Sequence, residues 1–251
     1  MANSIGAISG MGGGVIIKPI FDLIGAHDLA TISFYSAVAV FTMSLTSTFY
    51  QIKKGTAFKP FIIFWVSLGA FIGGYFGNKL FDFMYIKFND FTIINLIQIF
   101  LTIITLLCAY MYSSKNCLTF DLNTNFYYFI CGLILGGLSS FLGIGGGPIN
   151  VSLLILLFSM SIKEATFYSI ATIFFSQLSK LITIGFTTGF NTFDLETLYF
   201  IIPAAILGGI IGANLSTILS ERNVEKVFRI VILLVLFINI YNGINLFRTL
   251  N

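Results

Sequence analysis

Two glycine clusters interrupt two strongly apolar runs. Residues 10–14 read Gly-Met-Gly-Gly-Gly, and residues 143–147 read Gly-Ile-Gly-Gly-Gly. A helix that faces lipid cannot break in this way, because the freed N–H and C=O groups would find no partner. Two matched breaks therefore suggest irregular backbone that lines a protected site, as in secondary transporters built from repeats.

The composition places those runs in a membrane. Of 251 residues, 57% are hydrophobic and only 9% charged, against about 25% charged in a soluble domain. Mean hydropathy is +0.97. No stretch is long or polar enough to form a soluble domain. The pI near 8.7 reflects loop lysines that orient the chain, so it gives no reason to invoke nucleic acid. Cys108, Cys117 and Cys131 show no CxxC spacing, and a disulfide or metal reading is weak. The N-terminus lacks the charged region of a signal peptide.

The glycine clusters start 133 positions apart, and so do Phe34-Tyr35-Ser36 and Phe167-Tyr168-Ser169. Gly73-Gly74-Tyr75-Phe76-Gly77 and Gly208-Gly209-Ile210-Ile211-Gly212 follow at an offset of 135, which needs only a two-residue insertion. Three matches in one order read as a duplication: residues 1–115 and 121–251, joined by the polar stretch 113–125. Each half opens with a broken hairpin, at 2–25 and 126–159. Spans at 30–50, 61–80 and 91–112 follow in the first half, and at 164–184, 197–217 and 226–248 in the second. Each is close to the ~20 residues that cross a bilayer.

The loop 51–60 holds Lys53, Lys54 and Lys59, whereas its counterpart 185–196 holds Asp194 and Glu196 and no basic residue. Equivalent loops then lie on opposite sides, and the repeats are inverted. With 51–60 in the cytoplasm, Lys115, Lys163, Arg222, Lys226 and Arg229 join it, leaving Lys79, Lys87 and Arg248 outside. The positive-inside rule favours this orientation. Both termini are expected outside.

A helix start at Pro148 is expected, since proline suits the first turn. Its free N–H groups and positive dipole end would face the glycine turn, a setting for anions. Residues 12–15, Gly-Gly-Gly-Val, lack that proline, and Pro19 follows. The candidate substrate-binding set is Gly10, Gly12, Gly13, Gly14, Gly143, Gly145, Gly146, Gly147 and Pro148, with Tyr35, Ser36, Tyr168 and Ser169 as hydroxyl donors. Lys18, Asn150 and Gln177 are further candidates, with Ser44 and Ser176 weaker ones. Tight packing is the competing reading of the glycines, and a place in the interfacial aromatic belt that of the tyrosines. Gly69, Gly73 and Gly77, and Ala204, Gly208 and Gly212, read as close helix packing. Lys18 and Asp22, at i and i+4, form an ion pair or supply positive charge to the site. Lys180, near the outer end of its span, is expected to snorkel. His27, beside Asp28, reads as a solvated loop residue.

With one histidine, no nucleophile–base array can be assembled, and no phosphate-binding loop or paired carboxylates occur. The chain reads as a non-enzyme without cofactor or metal, and transport would be driven by gradients or partners.

On the doubled GxGGG and the glycine-rich third spans, the chain resembles the sulfite exporter TauE/SafE family, also called TSUP permeases, over nearly its whole length. The resemblance implies a multi-pass permease of the bacterial inner membrane for sulfite, organosulfonates or related small anions, with the glycine segments lining the path. Two departures bear on the substrate. Phe-Tyr-Ser stands where relatives often read small-Thr-Ser, and Lys18 where an apolar residue is usual. The expectation is an all-α, inverted-repeat transporter of a small anion, working by alternating access in a lipid bilayer. A passive anion channel and a non-transporting scaffold or assembly factor are the alternatives. A homo-oligomer is compatible with the sequence, which carries no signal for the coupling ion.

Overall fold

Ten α-helices account for the computed structural model, which describes residues 1–25, 27–88, 91–112 and 119–250. Lys115, Cys117 and the rest of 113–118, the first part of the polar stretch between the halves, lie outside the described residues. The helices are α1 (Ala2–Ser9), α2 (Gly14–Ile24), α3 (Leu29–Lys53), α4 (Pro60–Phe88), α5 (Phe91–Tyr112), α6 (Asn125–Leu142), α7 (Pro148–Phe158), α8 (Ile162–Thr187), α9 (Leu198–Ile218) and α10 (Glu221–Leu250). A 3-10 turn, Phe190–Thr192, precedes α9. No strand occurs among the described residues. Seven helices are long and apolar enough to cross a bilayer: α3 to α6 and α8 to α10. This is an all-helical, multi-pass membrane protein. α6 is long enough to cross by itself, at 18 residues, whereas α1 has only 8.

Both breaks have the same form. α1 ends at Gly10 and α6 at Gly143, each in the left-handed conformation, with φ 73° and 68°. Glycine alone reaches that region without steric cost, which is why it closes helices so often. The 11-residue helices α2 and α7 then begin at Gly14 and Pro148. Their followers are also capped at matching positions: Asp28 caps α3 by accepting from the Thr31 N–H at 2.9 Å, and Ser161 caps α8 in a capping box with Glu164.

Packing pairs exchange when the halves are swapped. α4 lies on α6 as α9 lies on α1, α3 on α9 as α8 on α4, and α5 on α7 as α10 on α2. The small residues explain how closely these helices approach. A Cβ at Gly77 would fall on the Gly137 carbonyl oxygen, and one at Gly212 on that of Ser4. Those two acceptors are themselves 133 positions apart. The glycine rows of α4 and α9 are thus packing surfaces, as their spacing predicts.

α3 and α8 occupy the centre, with 67% and 56% of their apolar windows buried, against 28% for α9 and α10. The outer helices turn large apolar side chains outward, among them Phe76, Phe200 and Phe237. Only a lipid environment satisfies such a surface. The polar content of the centre is correspondingly high: Ser33, Ser36, Ser169, Ser176, Gln177 and Lys180 are all buried there.

Candidate functional site

The two glycine turns meet. A Cβ at Gly146 would lie 2.9 Å from the Met11 carbonyl oxygen, one at Gly12 would lie 3.5 Å from that of Gly145, and one at Gly14 would overlap that of Ile144. Residues 10–14 and 143–147 are all buried. The starts of α2 and α7 therefore share one neighbourhood.

Side chains of α3 and α8 close around this junction. Ser169 Oγ donates to the Gly10 carbonyl at 2.6 Å. A Cβ at Gly14 would sit 2.6 Å from Ser36 Oγ. Asn150 lies in the first turn of α7, and its Nδ2 has no partner. Ser36 Oγ, Thr166 Oγ1 beside Gly10 and Asn3 Oδ1 beside Gly13 are likewise buried without partners. Buried polar atoms are nearly always satisfied, so a cluster of exceptions at one junction calls for an explanation. Thr166 and Asn3 carry no motif of their own. Thr166 was legible only as the residue before Phe167, at the position equivalent to Ser33.

Both tyrosines are buried, but their hydroxyls reach loops instead of the glycine turns. Tyr35 Oη donates to the Asp194 carbonyl at 2.9 Å, and Tyr168 Oη accepts from the Lys59 N–H at 2.8 Å. The Tyr35 proton is thereby committed to the 185–196 loop in this conformation. His27 is exposed and sets its ring edge-on to Tyr35, with centroids 5.6 Å apart.

Of the two lysines, Lys18 meets expectation and Lys180 departs from it. Lys18 does form the ion pair with Asp22, at 2.9 Å, and also donates to Asn95 Oδ1 at 3.3 Å. Lys180 does not snorkel. Its residue is 2% exposed, and its Nζ donates to Ser33 Oγ at 2.6 Å and to the Ser140 carbonyl at 3.2 Å. The physical reason is the face of α8 that carries it. Ser169, Ser176, Gln177 and Lys180 recur at helical spacing and turn into the bundle, where one hydroxyl and a helix-end carbonyl hold the ammonium. That polar stripe was a signal available in the sequence. Gln177 Nε2 donates to Ser139 Oγ and Ser176 Oγ at 3.1 and 3.3 Å, while its Oε1 has no partner. Ser44 bonds within its own helix, to Phe41.

Cavities of about 530 and 410 Å³ open between α4 and α8 and are lined by apolar side chains such as Phe71, Phe175 and Phe186. A polar pocket of about 180 Å³ contains Asp22, Asn95, Asn242 and Asn245. None of these three is lined by the glycine turns, whose residues are all buried. Among the described residues, no three His, Cys, Asp or Glu side chains gather as metal ligands. Cys108 and Cys131 are free thiols.

The family model for sulfite exporter TauE/SafE matches residues 1–239. Among curated proteins, the chain is similar to the "Probable membrane transporter protein YunE" of Bacillus subtilis (strain 168). The two are 27% identical over a 274-residue alignment that covers 97% of this chain and 95% of that protein. No solved structure matches.

Proposed function

The chain belongs to the sulfite exporter TauE/SafE family of membrane transporters, and from that premise we propose that it carries a small oxyanion, sulfite or an organosulfonate, by alternating access. One observation carries the reading: two glycine turns meet in the bundle's centre, each releasing a helix start, with unpartnered Ser36 and Asn150 beside them. Free N–H groups at the starts of α2 and α7 would hold the anion through hydrogen bonds and the positive helix ends. Hydroxyls of Ser36 and Ser169 would shape the pocket. Tyr35 and Tyr168 act as latches on the loops at either end.

The exchange of packing partners between halves supports an inverted repeat, residues 1–115 and 121–251. In such a repeat, rocking of one half against the other opens the site to alternate sides. Burial of the glycine turns fits an occluded stage of that cycle.

The test is counterflow of labelled sulfite in proteoliposomes, with sulfate, chloride and a small sulfonate as competitors. Saturable, competed counterflow is the expected result. Linear, unsaturable flux would replace the carrier with a channel. No flux of any of these anions from folded, inserted protein would overturn the reading in favour of a scaffold.

A further inference from the structure

Around the glycine junction the two halves differ in charge. The environment of Gly10 is apolar on one side: a Cβ there would meet Thr166 Cα at 2.7 Å and Val151 Cγ2 at 2.9 Å. The environment of Gly143, its counterpart, holds a lysine instead. A Cβ there would meet Ser33 Oγ at 2.6 Å and Lys18 Cε at 3.6 Å. Thr166 and Ser33 are equivalent by the 133-residue offset, and so are Val151 and Lys18. Lys180 bonds that same Ser33 and occupies the position equivalent to Ser47. Both lysines of the bundle's interior thus fall on one side of a nearly symmetric centre.

They differ in how their charge is met. Lys18 is paired with Asp22. Lys180 has no carboxylate within ion-pair distance among the described residues, and its Nζ makes two of its three possible donations, both to neutral oxygens. The charges whose fields reach it are Lys18 and, beyond pairing distance, Asp82, which takes a hydrogen bond of 3.4 Å from Asn78 Nδ2. Removing an ammonium from water without a counter-ion is strongly unfavourable. Intramembrane lysines accordingly face one another, backbone carbonyls or a functional cavity.

The neighbours of Lys180 have spare hydrogen-bonding capacity. Ser140, whose carbonyl accepts from Nζ, has an unpartnered Oγ that is fully buried. Ser36 stands one turn along α3 from Ser33, and its Oγ is also unpartnered. Gln177 stands one turn before Lys180 on α8. An ammonium and two hydroxyls with protons to give match the needs of a compact oxyanion.

We propose that Lys180, Ser33 and Ser140 form a charged subsite beside Gly143, in which the Lys180 ammonium pairs directly with the substrate oxyanion. This deepens the small-anion reading and rests on it. The subsite makes the second half's glycine turn the high-affinity end of the path and leaves the Gly10 side a neutral antechamber. Asp22 and Asn95, the partners of Lys18, also line the polar pocket that holds Asn242.

The test measures sulfite affinity of solubilised protein from the sulfite-induced rise in melting midpoint, alongside counterflow. Lys180→Met is expected to weaken sulfite binding at least tenfold, because the charge that pairs with the oxyanion is gone. A purely structural lysine would lower the melting midpoint of the apo protein but leave the sulfite titration where it was. Sulfite affinity in Lys180→Met within twofold of the unaltered protein overturns the subsite. Should Lys180→Met fail to fold, Ser33→Ala carries the test: a several-fold weaker affinity supports the subsite, and an unchanged one overturns it. Absence of sulfite binding and counterflow in the unaltered protein is a different result, and overturns the anion reading on which the subsite rests.

Discussion

Tyr168 Oη accepts a 2.8 Å hydrogen bond from the Lys59 backbone N–H, and its repeat partner Tyr35 donates one of 2.9 Å to the Asp194 carbonyl. Each tyrosine ties its central helix to a loop, α8 to the 51–60 loop and α3 to the 185–196 loop. In the inverted repeat proposed above, those loops are equivalent and lie on opposite faces of the membrane. The two bonds therefore read as a pair of latches, one for each end of the path.

Tyr168→Phe is expected to loosen the 51–60 loop alone, and Tyr35→Phe the 185–196 loop alone. A hydrogen bond of this kind contributes about 1 kcal/mol. Local amide exchange in the affected loop should then quicken roughly fivefold, with the other loop unchanged. Hydrogen exchange by mass spectrometry checks this. Equal protection in all three proteins would remove the latch.

Gly147 offers a sharper probe of the anion site than Gly146. A Cβ at Gly147 meets nothing closer than Ile144 Cδ1 at 3.4 Å, whereas one at Gly146 overlaps Ile173 Cδ1 and lies 2.9 Å from the Met11 oxygen, at φ +147°. Gly147→Ala should keep its melting midpoint within a few degrees and lower sulfite counterflow about tenfold. Gly146→Leu should lose stability as well as flux, by at least the roughly 1–3 kcal/mol of a strained residue. Unimpaired counterflow in Gly147→Ala would argue that this helix start does not touch substrate.

Two glycines at one helix crossing should respond oppositely to alanine. At Gly73 a Cβ falls on the Leu133 carbonyl oxygen; at Gly137 the nearest atom is the Gly73 oxygen at 3.5 Å. Gly73→Ala forces α4 from α6 and should cost about 1–3 kcal/mol. Gly137→Ala should be neutral or stabilising, because glycine is the poorer helix former by about 1 kcal/mol. Melting in detergent distinguishes the two.

Asp28 caps α3 from outside the membrane-spanning segment. Partial burial pushes its carboxyl up, but hydrogen bonds from Thr31 and the neighbouring backbone outweigh that and hold it below the usual 3.8. A depressed folded value means the cap stabilises fully above the unfolded value and fades as pH falls through the folded one. Asp28→Ala should therefore cost about 1 kcal/mol at neutral pH, with the difference shrinking below about pH 4. A gap independent of pH would show that the carboxylate charge plays no part.

The sequence by itself determined the membrane class, the order of the helices and the two glycine breaks between them, because each depends on local chemistry; the spans expected at 61–80 and 226–248 run on to Pro60–Phe88 and Glu221–Leu250. Lipid leaves an apolar run only the helix, and glycine and proline mark where it must stop. The start of α7 at Pro148 and the packing role of Gly73, Gly77, Gly208 and Gly212 followed from those rules. Tertiary structure decided which way each face turned. Lys180 reads as a snorkelling residue on a linear span; only the rotation of α8 against α3 and α6 brings it to Ser33 and Ser140, across 147 and 40 residues. The same holds for Tyr35 and Tyr168, whose hydroxyls find loops 159 and 109 residues away. Helical spacing sets which residues share a face, but the partner of that face is fixed by long-range packing, and the charge asymmetry at Gly143 exists only once the halves have closed on each other.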